Sequence, residues 1–280
     1  FTNQGDVWGT DRNSTIGNGF VPIGSSGSPF TGDFDGVAGY AIDNLYINSG
    51  NNNLGLFGYT SSTSNITNLG VTNASVTQQA GANTVGGLVG LMNRVYVTGT
   101  ITNLTDTGLA DGFLGGIAGQ MQGASAILSQ SYSTATVRAP ATINTVTSNY
   151  VGGLVGRLNT GSSIDQSYFS GLVHAAYLLS NRGALGVGGL SGWTSGTITN
   201  SYNTGTVIGY NYVGGLAGFL SSGTISNSYN AGQVITFTSI VGGITSEIDA
   251  GSSLTNSFWD TATSGQAAAF SSNTGTVTNV

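Results

Sequence analysis

Apolar and polar residues alternate along this chain in short bursts, and no stretch holds the 3.6-residue period of a helix. The bursts are rich in Val, Ile and Leu and are separated by Gly, Asn, Ser and Thr, which are turn residues. The pattern predicts many short strands. One burst recurs as a hexapeptide: Val85-Gly86-Gly87-Leu88-Val89-Gly90, then Leu114 to Gly119, Val151 to Gly156, Val187 to Gly192 and Val213 to Gly218, with a worn copy at Val241 to Ser246. Leu54 to Gly58 is an earlier relative.

A second unit of the form I-x-x-S-Y-x-x-x-x-V follows each hexapeptide. It reads Ile164 to Val173, Ile198 to Val207 and Ile225 to Val234, one residue longer at Ile127 to Val137, shortened at Met92 to Ile101, and ends with Leu254 to Phe258. One strand pair cannot bury its own apolar side, whereas stacked copies can. The expected fold is all-β, a parallel β-solenoid of seven or eight coils, about 35–40 Å long at the spacing between paired strands. Stacking predicts inward aliphatic ladders of Val85, Leu114, Val151, Val187, Val213 and Val241, and of Leu88, Ile117, Leu154, Leu190, Leu216 and Ile244. It predicts an aromatic ladder of Tyr96, Tyr132, Tyr168, Tyr202, Tyr229 and Phe258. Asn200, Asn227 and Asn256 would ladder through their amides. The Gly pairs would serve tight corners or close backbone approach.

Residues 1–36 differ, with Trp8, Phe20, Phe30 and Phe34 and two of the three prolines, and are expected to form an N-terminal cap and the first strands. Residues 37–260 form the repeats, and Ile42 to Ile47 and Ile66 to Val71 resemble the second unit. Residues 261–280 are weakly patterned and read as a tail or cap of the same domain.

Composition narrows the function. Only 6% of residues are charged, Gly numbers 47 of 280, and Cys is absent. Disulfides and thiolate metal sites are therefore excluded. The only cations are five arginines, and the net charge is −6. Nothing supplies the basic patch that nucleic acid or an anionic membrane requires, and no apolar run approaches the roughly 20 residues of a membrane span. The chain opens without Met or a signal peptide and reads as a processed or excised segment of an exported protein.

The VGGLxG and IxNSYxxGxV units, with PIGSSGSPFTGDFDG before them and NSFWDTATSGQ after, resemble the GLUG repeat. That repeat occurs in filamentous-haemagglutinin-type adhesins and in surface proteins related to bacterial IgA peptidases. The resemblance covers residues 20 to 266 and departs at Val37 to Tyr40 and at Thr245-Ser246. It implies a right-handed solenoid, an extracellular or cell-surface location, and a structural or adhesive role, alone or as a fibre. Partners would be glycans, proteins or further copies of the chain.

No catalytic or cofactor-binding residue is expected. His174 is the only histidine and has no paired motif. The carboxylates are scattered and HExxH, GxSxG and P-loop motifs are absent, so a polysaccharide-processing enzyme, with Asp165 or Asp249 at work, is disfavoured. Asp33 and Asp35 form D-x-D-G, and Asp106 and Asp111 raise the same question. Ca²⁺ needs six to eight oxygens, and turns held by Asx hydrogen bonds are the preferred account. Thr98/Thr100, Thr134/Thr136 and Thr204/Thr206 are paired at equivalent places, interrupted by Ser170/Leu172 and Ala231/Gln233. They are candidates for binding ice or carbohydrate, set against the plain strand propensity of Thr. Asn13, Asn65, Asn73 and Asn103 lie in N-x-S/T sequons. The longer loops near residues 139–149 and 177–185 are candidate contact surfaces.

Overall fold

The computed structural model describes residues 19–37, 39–79, 91–103, 112–124, 126–139, 149–175 and 185–280. Successive coils of this chain stack as parallel sheets, giving the expected β-solenoid. One complete coil runs Asn149–Gly152, Val155–Leu158, Ser163–Asp165, Tyr168–Phe169 and Leu172–Ala175. Each segment pairs in parallel with its counterpart one coil on. Four sheets result. The two halves of the hexapeptide build a leading sheet of five strands and a following sheet of six. The start of the second unit builds a nine-stranded Ile sheet, and its remainder a thirteen-stranded Tyr sheet. Nine rungs at about 4.8 Å span about 38 Å.

The aliphatic ladders form. Leu114, Val151, Val187, Val213 and Val241 are in register along the leading sheet. Ile117, Leu154, Leu190, Leu216 and Ile244 are linked coil to coil by N–H···O bonds of 2.8–3.1 Å. All but the half-buried Val241 lie in the core. Val85 and Leu88 lie outside the described residues. A third ladder fills the Ile sheet: Phe34, Ile66, Met92, Leu128, Ile164, Ile198, Ile225, Leu254 and Val277.

That ladder corrects two alignments. Leu128, not Ile127, is the partner of Ile164, so the copy expected to be one residue longer has the common length. Ile42 pairs with Val71 on the Tyr sheet, and the place beside Ile66 belongs to Phe34. Asp33–Asp35, within the segment expected to hold the cap and first strands, is the first strand of the Ile sheet.

The corner between the Ile and Tyr sheets explains the constant Ser. Asn68, Arg94, Gln130, Gln166, Asn200, Asn227, Asn256 and Asn279 all turn it with φ between 46° and 57°. A left-handed residue points the next amide away from the neighbouring backbone. The following Ser repairs this. Ser131, Ser167, Ser201, Ser228 and Ser257 each accept, through Oγ, the backbone N–H of the equivalent residue one coil earlier, at 2.9–3.3 Å. Each hydroxyl then donates to the carbonyl two residues before it, at 2.6–2.9 Å. All five serines are buried.

Among the described residues, the second Gly of each hexapeptide serves close approach, and none of these Gly pairs has positive φ. A Cβ on Gly116, Gly153, Gly189, Gly215 or Gly243 would strike Ser133, Phe169, Asn203, Asn230 or Trp259, the residue after each Tyr-ladder position. Asn203 and Asn230 are buried and joined, Nδ2 to Oδ1, at 2.8 Å, and each closes a loop on the backbone of Gly205 or Gly232.

At the far end Asp260 caps a single helical turn, Thr261–Ser264, by accepting from the Ala262 N–H, and Gly265 ends it at φ 71°. Ala268 and Ala269 then take the N–H groups of Gly243, Ile244 and Thr245, covering the leading sheet. Ser272–Asn273 and Thr276–Thr278 add a last rung to the following and Ile sheets.

Candidate functional site

With the interior filled by ladders, any function rests on the columns that face outward. The tyrosine column is the most regular. Tyr96, Tyr132, Tyr168, Tyr202 and Tyr229 stack at 4.9–5.2 Å between centroids and within 6° of parallel. Burial, and then the neighbouring phenols, push the hydroxyls of Tyr132, Tyr168 and Tyr202 above the ordinary phenol value. Ring faces are spent on one another, so the column offers edges and hydroxyls. Phe258 departs from the expectation. It pairs with Tyr229 in register, but its ring is 59% exposed and stacks on none of the described rings. The Asn ladder is also partial: Asn256 donates to Asn227 at 3.4 Å and Asn279 to Asn256 at 2.9 Å, whereas Asn200 turns to Asp165 at 2.8 Å.

The threonine pairs are in place but interrupted. Thr100, Thr136, Leu172 and Thr206 share one outward column of the Tyr sheet. Thr98 lies within the strand Tyr96–Asn103, whereas Thr134 and Thr204 fall in the short break between two strands, with Ser170 in the same break on the coil between them. A more regular hydroxyl face lies on the Ile sheet. Thr197-x-Thr199, Thr224-x-Ser226, Ser253-x-Thr255 and Thr276-x-Thr278 fall on four consecutive rungs in register. The signal was available, since each pair flanks a ladder residue at period two.

A second aromatic cluster escaped sequence reading. Phe113 and Tyr150 are parallel at 5.8 Å, as are Trp193 and Phe219 at 4.9 Å, and the Arg157 guanidinium lies over Phe113 and Tyr150 at 5.3 and 5.9 Å. These residues flank the hexapeptide, outside the repeated letters.

The remaining candidates are dispersed. His174 sits beside Arg138 on the Tyr sheet; burial, and then that positive charge, lower its pKa and favour the neutral ring. Asp33 accepts from Asn65 at 2.7 Å, and Asp35 from Asn68 at 2.9 Å and from the Val37 N–H at 3.0 Å. These bonds, that of Asn68 foremost, hold the Asp35 carboxyl below its usual value. Among the described residues no three His, Cys, Asp or Glu side chains gather as a metal site. Asp106 and Asp111, Asn13, and most of both long loops lie outside the described residues. No described helix is long and apolar enough to cross a membrane.

No family model matches the chain. It is similar to halomucin of Haloquadratum walsbyi. The two are 37% identical over 154 residues, which is 54% of this chain and 2% of that protein. The match therefore spans only a small part of that protein's length.

Proposed function

We propose that this chain is an extracellular surface module of the GLUG-repeat kind, a stiff spacer that carries adhesive contacts and has no catalytic role. The observation that supports it best is the nine-rung Ile sheet held in a single register. Its interior is filled by aliphatic, Ser and Asn ladders, an arrangement whose product is length. The low charge, the absence of Cys and the similarity to a protein named as a mucin agree with a displayed, hydrated segment. Partners are glycans, proteins or further copies of the chain, met through the loops and outward columns. Antibodies raised to this segment should label intact, unpermeabilised cells, and negative-stain images of purified native material should contain straight rods. Labelling only after lysis, or compact particles, would refute the reading. Regular filaments would favour self-assembly over a single adhesive rod.

A second reading, ice or carbohydrate binding by a hydroxyl-rich face, gains support from the four in-register rungs between Thr197 and Thr278. That face carries neither cation nor aromatic ring. Thermal hysteresis that disappears in Thr224→Tyr would favour it; its absence in the parent chain would remove the ice-binding form.

A further inference from the structure

The Tyr sheet is regular except at its start. Between Val71 and Ala74 the strand Gly70–Gln78 carries one residue more than its partner Tyr96–Asn103. The preceding coil carries the same extra residue, since Asp43 pairs with Thr72 and Tyr46 with Ser75 at one constant offset. The extra residues are Asn44 and Asn73, both at positive φ, 58° and 51°. Bulges that recur in register at the cost of left-handed non-glycine residues are placed features. Here they open a notch of about 200 Å³ lined by Asn44, Leu45, Tyr46, Asn73 and Ser75.

We propose that this notch binds one neutral hexopyranose ring of a glycan. The proposal rests on the reading of the chain as a displayed surface module, where glycans are within reach. Next to the notch residues Asn44 and Asn73, the exposed Asp43 accepts from Thr72 Oγ1 at 2.7 Å, from Asn73 Nδ2 at 2.8 Å and from Asn44 Nδ2 at 2.6 Å. The Asn73 backbone N–H is held by Thr98 Oγ1 at 3.0 Å. Asp43 thus fixes which way both amides point, and Asn73 Oδ1 is left as an acceptor. Ser75 is exposed on the same rim, and its hydroxyl makes no bond to the described residues. Tyr46 stands apart from the five stacked tyrosines. It is half-buried, packs over Gly19, where a Cβ would meet its Cδ1 at 2.8 Å, and stacks on no described ring. A fixed amide acceptor, a free hydroxyl and an unspent aromatic ring meet the hydroxyls and the apolar C–H face of a sugar. The opening suits one ring, and neither a helix nor an extended peptide. No cation lines it and the Asp43 carboxylate is bonded to two of its lining residues, so uronates and sialates are repelled.

Asp43 is a positioning residue here, and Tyr46, Asn73 and Ser75 are the contacts. Titrating the purified chain with methyl glycosides of mannose, galactose and glucose, followed by NMR, tests this. At least one should bind saturably, with Kd on the order of 1 mM. The matching glucuronide should bind at least tenfold more weakly. Ser75→Val and Tyr46→Ala should each weaken binding at least tenfold, Asp43→Asn severalfold, and Gln233→Ala, at an exposed position away from the notch, not at all. If Tyr46→Ala fails to fold, Tyr46→Leu keeps the packing and should show the same loss. No saturable binding by any neutral hexose, equal binding by the notch variants, or native material bearing a covalent glycan on Asn73 of the Asn73-Ala74-Ser75 sequon would overturn the proposal. A chain that labels on intact cells and forms rods but binds no hexose sinks this inference alone. A chain that binds hexose but is hidden until lysis sinks the surface reading instead.

Discussion

Removing one hydroxyl from the Ser ladder isolates the interaction that sets the corner. Ser201 Oγ accepts from the Ser167 N–H at 3.1 Å and donates to the Thr199 carbonyl at 2.6 Å. Ser201 and Ser167 are each 1% exposed, so water cannot replace the lost acceptor. The two lost bonds are unequal. The Thr199 carbonyl keeps the Gln166 N–H at 3.3 Å, whereas the Ser167 N–H has no second acceptor among the described residues. Ser201→Ala therefore orphans one buried donor, which costs about 1–3 kcal/mol. Ser226→Ala is the matched control. It deletes the same atom from an outward, half-exposed side chain that makes no side-chain bond, and should stay within about 0.5 kcal/mol. Adding Ser228→Ala to Ser201→Ala orphans a second N–H, that of residue 201, and roughly doubles the loss. Stacked repeats open locally, so hydrogen exchange across residues 163–169 should accelerate first, alongside a lower urea midpoint. Equal midpoints and exchange for Ser201→Ala and Ser226→Ala would refute the account.

Gly153→Ala drives a Cβ into the Gly189 carbonyl and the Phe169 ring and should cost about 3 kcal/mol or more, whereas Gly27→Ala meets nothing and should be neutral by urea denaturation. Tyr168 stacks at 4.9 Å on both sides. Tyr168→Ala should lose about 0.5–1.5 kcal/mol per stacking contact beyond its area, while Tyr168→Phe should keep both the midpoint and most near-ultraviolet dichroism. Burial, and then the charge of Asp249, raise the Glu247 pKa. The folded chain then binds that proton more tightly, so stability falls as pH rises from the unfolded carboxyl value through the folded one. Glu247→Gln should be the more stable protein at pH 7, and the gap should close in melts below pH 4.

The outcome along the chain separates what periodicity reveals from what only stacking reveals. The Val and Leu ladders and the Tyr stack were legible because each coil repeats the same letters. Ile127 was mistaken for Leu128 because both are apolar, and hydrophobicity cannot choose between adjacent positions. Counting from Ser131 would have chosen correctly, since the Ser fixes the corner. The role of that Ser was hidden because it answers an N–H some 27 to 36 residues away. Phe258 kept its register and lost its stack. Phe34 was placed with the cap and first strands, outside the repeats, because its coil occurs once, with letters unlike the others.

The candidate site was less legible for a related reason. Repetition marks what every coil needs, which is the interior, while a binding feature is a place where one coil differs. Asn44 and Asn73 look like ordinary members of I-D-N-L and V-T-N-A, and only pairing against Tyr96–Asn103 exposes them as insertions. The Phe113, Tyr150, Trp193 and Phe219 cluster likewise sits at positions the repeat leaves free. A solenoid whose inward residues are fixed by ladders tolerates such departures cheaply, because each insertion disturbs one rung and its two neighbours. Recognition in a protein of this architecture should therefore be sought where the register slips.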